Sequence, residues 1–85
     1  MDGTTLGVYT IRDSKAEAYM QPFTFRTDAE AIRAFGDSVE KAGTPLHDHP
    51  EDYFLYKVGE FDLLVGVIKP LEIVNLAGAA DFRKE

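Results

Sequence analysis

The segment Thr44-Pro45-Leu46-His47-Asp48-His49-Pro50-Glu51-Asp52 holds both histidines of the chain together with three carboxylates. It is the stretch where metal binding or proton transfer has to be weighed first. Read as extended backbone, it points His47 and His49 to the same side, as two ligands would require. Structural zinc takes four protein ligands and catalytic zinc three. The chain has no cysteine, and this spacing places no third ligand, so the expectation is no metal and no cofactor. The segment then reads as a polar loop shaped by its prolines.

Other catalytic constellations fare no better. Ser14 reads as a turn residue and Ser38 as a helix-surface residue, and neither sits in a nucleophile turn of the G-x-S-x-G kind. Glu51 and Asp52 fall on opposite faces of a strand starting there, which does not suit a shared proton. Neither G-x-x-x-x-G-K-[ST] nor G-x-G-x-x-G occurs to cradle a phosphate. The expectation is a protein that is not an enzyme.

A binding chemistry is better represented. In the first third of the chain Tyr9, Tyr19, Phe23 and Phe25 alternate with Arg12, Lys15 and Arg26. Aromatics on a sheet with basic neighbours can stack single-stranded bases while holding the backbone, at about 1–3 kcal/mol per base. Arg12, Lys15, Tyr19, Phe23 and Arg26 are therefore the candidate nucleic-acid-binding residues. The same aromatics also suit a core beneath a helix, so spacing alone leaves both uses open. A second surface, His49, Glu51, Asp52 and Tyr53, is a candidate for contact with a protein partner.

The elements that must position these groups follow from periodicity. Residues 6–12 read as a strand closed by the turn pair Asp13-Ser14. A second alternation over residues 19–25 puts Tyr19, Gln21, Phe23 and Phe25 on one face, with Pro22 demanding an edge position or a bulge. The link of residues 15–18 has room for a helical turn. Thr27-Asp28-Ala29-Glu30 is a capping box that starts a helix. Ile32, Phe35, Val39 and Ala42 form its apolar stripe, Gly36 inside it suggests close packing or mere tolerance, and Gly43 and Pro45 end it. Residues 53–61 are apolar on both faces, as in a central strand or one covered by a partner subunit. A turn at residues 62–64 leads to a strand over residues 64–68 that stops at Pro70, and the apolar tail from residue 71 should dock on its own core or a neighbouring chain. The fold class is α+β, an antiparallel sheet with one main helix on one face, β-β-α-β-β, in a single domain over residues 1–85.

Composition bounds the partners. At 85 residues with 45% hydrophobic side chains the chain can fold around one thin core. Its opening residues lack a signal peptide's basic start and apolar run, and there is no apolar stretch of about 18 residues, so neither secretion by that route nor a membrane partner is expected. The formal charge of −6 is unevenly placed. Residues 1–26 and 63–85 balance, and the whole excess lies in residues 27–62, where Arg33, Lys41 and Lys57 face nine acidic groups. That middle segment should repel phosphates, leaving any nucleic-acid contact to the ends of the chain. One uncovered sheet face and two-faced apolar strands at residues 53–61 and 64–68 point to a homodimer or higher oligomer.

Five segments in order carry a resemblance: Tyr9-Thr10-Ile11-Arg12-Asp13-Ser14-Lys15-Ala16-Glu17-Ala18-Tyr19, Gln21-Pro22-Phe23, Ala31-Ile32-Arg33-Ala34-Phe35, His49-Pro50-Glu51-Asp52-Tyr53 and Gly59-Glu60-Phe61-Asp62. Over residues 8–70 the chain resembles the small nonstructural protein of gokushovirus-type Microviridae, the tiny single-stranded DNA phages. It departs from that pattern after Asp62, where Leu63-Leu64-Val65-Gly66 replaces a polar pair and Thr-Gly. The resemblance implies a product in the cytoplasm of the infected bacterial host, absent from the mature capsid and without catalytic residues. Its implied role is in the switch from double-stranded replication to single-strand synthesis and packaging, through DNA or through a phage or host replication protein. The alternative reading is a protein–protein interaction module whose acidic surface binds a basic phage or host protein without touching DNA.

Overall fold

In the first strand, β1 (Thr5–Asp13), β-branched and aromatic residues alternate across the pleat. Asp13 ends it by accepting the N–H groups of Lys15 and Ala16 on Oδ1, at 3.0 and 3.1 Å. This Asx turn, finished by Glu17 at φ 58°, takes the place of a helical turn and returns the chain into β2 (Ala18–Tyr19). The computed structural model describes residues 4–83; the expectation drawn from the opening residues and the very end of the tail fall partly outside that range.

Both β2 and β3 (Phe23–Phe25) pair antiparallel with the same edge of β1. Arg12 lies opposite Tyr19, whereas Tyr9 lies opposite Phe23. The register therefore slips by one residue across the break at residues 20–22, where Pro22 has no N–H to give the ladder. A one-residue slip flips the alternation. Tyr19 thus faces one side of the sheet and Phe23 and Phe25 the other, which corrects the expectation that they share a face.

The helix α1 (Asp28–Glu40) starts where the capping box places it. Thr27 Oγ1 accepts the Glu30 N–H at 3.1 Å, and Glu30 Oε1 accepts the Arg26 N–H at 3.2 Å, one residue before the cap. The buried stripe is Ala31, Phe35, Gly36 and Val39; Ile32 is half-buried, and Ala42 lies exposed beyond the helix end. The stripe packs on Tyr9 and Leu55, with Ile11, Phe23 and Phe25 around them. Each such large apolar side chain contributes about 1.5–3 kcal/mol when fully buried.

Two regions differ from the sequence reading. Residues 45–48 form a short helix, α2 (Pro45–Asp48), because Thr44 accepts the His47 N–H at 3.1 Å and Pro45 is pre-set for the first helical position. A 3₁₀ turn, Pro50–Asp52, follows. The other difference is in the closing hairpin. β4 (Tyr53–Asp62) is central, as its two apolar faces suggest, but the turn occupies residues 63–66 with Gly66 at φ 73°. β5 (Val67–Gly78) then runs straight through Pro70. Proline is tolerated there because β5 is an edge strand and its register with β4 shifts beside it.

The sheet order is β2/β3, β1, β4, β5, antiparallel throughout, with α1 on one face: the α+β class expected. The tail from Leu76 to Phe82 docks on its own core. Ala79 is buried, and Phe82 meets Phe35 edge-on at 5.8 Å.

Candidate nucleic-acid interface

The helix-covered face is closed by Tyr9. Its fully buried ring runs over Gly7, where its hydroxyl occupies the space a Cβ would need. The hydroxyl donates to Asp28 Oδ1 at 2.7 Å, and Lys57 Nζ reaches the same oxygen at 3.2 Å. Burial first, then the bond to Asp28, pushes the Tyr9 hydroxyl well above the ordinary tyrosine range. The Asp28 carboxyl is held below its usual value, mainly by the hydrogen bond from Tyr9, with Lys57 adding to it. A tyrosine pinned in its protonated form is a structural donor, so this trio locks helix to sheet.

Among the described residues the opposite face carries no helix. Antiparallel partners share a face, so Arg12 aligns with Tyr19 on one side and Phe54 on the other, and Thr10 with Tyr56. Thr10 is small and 4% exposed, and its hydroxyl donates to the Met20 carbonyl at 2.7 Å. The rings of Tyr19 and Tyr56 converge from the two flanking strands to 5.8 Å, edge to face. The Arg12 guanidinium sits 5.7 Å from the Tyr19 ring centre, within cation–π range. Tyr19, Met20, Pro22, Val58 and Ile73 line a shallow apolar depression of about 270 Å³ above Thr10. Tyr19 is about half exposed, so part of its ring stays open to solvent. Such a surface offers π-faces with a cation beside them, which is the chemistry of base stacking.

The sequence-derived candidates are only partly brought together. Arg12 and Tyr19 meet on the open face. Phe23 lies on the covered face, stacked on Tyr9 at 6.2 Å and packed against the core. Arg26 is exposed at the far end of the β3 edge, on the order of 20 Å from Arg12 at about 3.4 Å per residue. Lys15 lies in the β1–β2 turn and lines a depression with Asp13, His49, Asp52 and Tyr53. Tyr56 escaped the sequence reading, because its meeting with Tyr19 depends on the strand register on both sides of β1.

The profile of the family described as Phage ORF5 protein matches residues 6–82. The chain belongs to the phage ORF5 protein family. No curated protein and no solved structure matches it. The family match reaches every described strand and helix, leaving out only Thr5 at the start of β1, and includes the open face. Among its described residues no helix is long and apolar enough to cross a membrane.

The second candidate surface is assembled differently from the extended loop of the sequence reading. Within α2, His47 turns inward, its Nδ1 3.0 Å from the Val39 carbonyl oxygen, and its own carbonyl accepts from Arg83 Nη1. His47 and His49 therefore do not act as a pair. His49, Glu51 and Asp52 do gather, with ligand atoms within 4.8 Å of one another at the surface. The Asp52 carbonyl accepts from the Ser14 N–H and hydroxyl at 2.8 and 3.0 Å, tying this acidic turn to the β1–β2 turn. Tyr53 stands beside it half-buried, its hydroxyl pushed up by burial and then by Asp13.

Proposed function

We propose that this chain is a non-catalytic accessory factor of a small single-stranded DNA phage of the gokushovirus type. It acts in viral DNA replication or in the switch to single-strand synthesis and packaging, by binding single-stranded DNA on the open face of its sheet. The observation that carries this reading is the convergence of Tyr19 and Tyr56 over Thr10 with Arg12 at the rim. Each tyrosine can hold one base, contributing about 1–3 kcal/mol by stacking.

The same geometry sets the character of the binding. Arg12 is the cation beside the rings and Lys15 the nearest turn cation, whereas the acidic excess lies in residues 27–62. With one or two phosphates neutralised, the logarithm of affinity should fall with the logarithm of salt at a slope of roughly −1, far shallower than for a basic DNA-binding domain. Unstacked bases are needed to reach the rings, so duplex DNA should bind more weakly.

Fluorescence anisotropy of labelled single- and double-stranded oligonucleotides at low and near-physiological salt tests this. Single-strand preference with a shallow salt slope is expected, together with loss of binding in Arg12→Glu and little effect of Arg26→Glu. Binding that is absent at low salt, or equal in Arg12→Glu, overturns the proposal. The acidic turn at His49, Glu51, Asp52 and Tyr53 would then be the surface to test against basic phage and host proteins.

A further inference from the structure

The long hairpin arm of β4 and β5 ends in a surface that the folded chain leaves open. β5 is the last strand of the sheet, and no element of the described residues pairs with its outer edge. Its residues 67–75 are exposed throughout, although Val67, Ile68, Leu71, Ile73 and Val74 are apolar, and the turn before them adds Leu63, Leu64 and Val65. Edge strands are ordinarily guarded by charges, proline, bulges or short length. β5 is 12 residues long, and its guards, Lys69, Pro70 and Glu72 with the register shift beside them, cluster at its middle, leaving the apolar residues on either side without one.

We infer that the outer edge of β5 is the contact surface for a second copy of this chain, running antiparallel and extending the sheet across a two-fold axis near Pro70 and Leu71. The ladder bonds are made by residues 67–69 and 72–74 on either side of the proline, which donates none. Three observations favour a second copy over another partner. The segment Val67-Ile68-Lys69-Pro70-Leu71-Glu72-Ile73-Val74 presents the same residue classes from either end, with Glu72 standing where Lys69 stands in the reverse direction. Antiparallel copies therefore bring unlike charges toward each other and valine toward valine. The strand is also neutral, so it escapes the repulsion that the −6 charge would impose on self-association elsewhere. Finally, Val67, Ile68, Leu71, Ile73 and Val74 lie exposed along this strand, so pairing with a second copy takes apolar surface from water on both sides of the extended sheet. The assembly stands apart from the DNA reading. Only its consequence rests on that reading: a two-fold perpendicular to the sheet places both open faces on one side, so the paired chain would hold a longer strand than either copy.

Sedimentation velocity of the full chain from low to high micromolar concentration tests the inference. The mass should rise from 9.5 kDa to twice that value. Val67 and Val74 lie in register with Asp62 and Lys57, on the helix side of the sheet. Val67→Lys with Val74→Lys should hold the protein at the single mass, since pairing would crowd four cations. In case that variant misfolds, the absence of native cysteine allows a second arm. Leu71→Cys should yield a disulfide-linked dimer under mild oxidation, while Ser38→Cys on the helix should not. A wild-type monomer at all concentrations overturns the inference. So does association that survives in a folded Val67→Lys/Val74→Lys protein, because that would place the contact on the open face.

Discussion

Tyr9 shows how much one side chain can settle in a domain this small. It fills the centre of the covered face, fixes the start of α1 through Asp28, and requires Gly7 beneath it. Asp28 keeps about half of its side-chain surface exposed, so solvent screens its pair with Lys57. Tyr9→Phe should cost about 1 kcal/mol in urea unfolding, the ordinary net value of a hydrogen bond, below that of a fully buried bond to a charged acceptor. Gly7→Ala should cost more, about 1–3 kcal/mol, because the ring has to leave its place. The pH dependence has two signs. The Asp28 carboxyl is depressed in the folded state, so its contribution is present above about pH 4 and is lost as pH falls through the folded value. The Tyr9 hydroxyl is raised, so its contribution is complete below about pH 10 and is lost progressively above it, with Tyr53 adding in the same direction. Tyr9→Phe should flatten both limbs of the stability profile, most visibly the alkaline one.

At the scale of elements, the helix and the docked tail form one coupled unit. A Cβ at Gly36 would lie 2.8 Å from the Phe82 ring, so the glycine in mid-helix is there for close packing. Gly36→Ala should destabilise by roughly 1 kcal/mol, as the clash outweighs the gain in helix propensity. In a Phe82→Ala background the same change should instead stabilise, by up to about 1 kcal/mol, and a double-mutant cycle by chemical unfolding reads the difference. The parts of this architecture legible in sequence were those written locally: the Thr27 cap, the Phe35 and Val39 stripe, the two-faced central strand and the apolar tail. What sequence could not show depended on register. The slip at Pro22 sends Phe23 to the opposite face from Tyr19, and β5 passes through Pro70 because its position at the edge frees that residue from donating. The inward turn of His47 likewise depends on Thr44 capping a helix of only four residues. Tyr56 joined the candidate site, and Phe23 left it, through these long-range pairings.

For the whole molecule, charge and shape divide the labour. The acidic excess is confined to residues 27–62 and most of the exposed apolar surface lies on the hairpin arm, while Arg12 stands with the tyrosines on the open face of the sheet. A protein of this charge cannot hold DNA by electrostatics alone, so any affinity has to come from stacking at a small site. The most direct test is ultraviolet cross-linking of a bromodeoxyuridine-substituted single strand to the folded protein, followed by mapping of the modified peptides. The account predicts cross-links at Tyr19 and Tyr56, lost in Tyr19→Ala with Tyr56→Ala. Cross-links confined to the helix or to the turn at residues 49–53, or none at all under binding conditions, would contradict it.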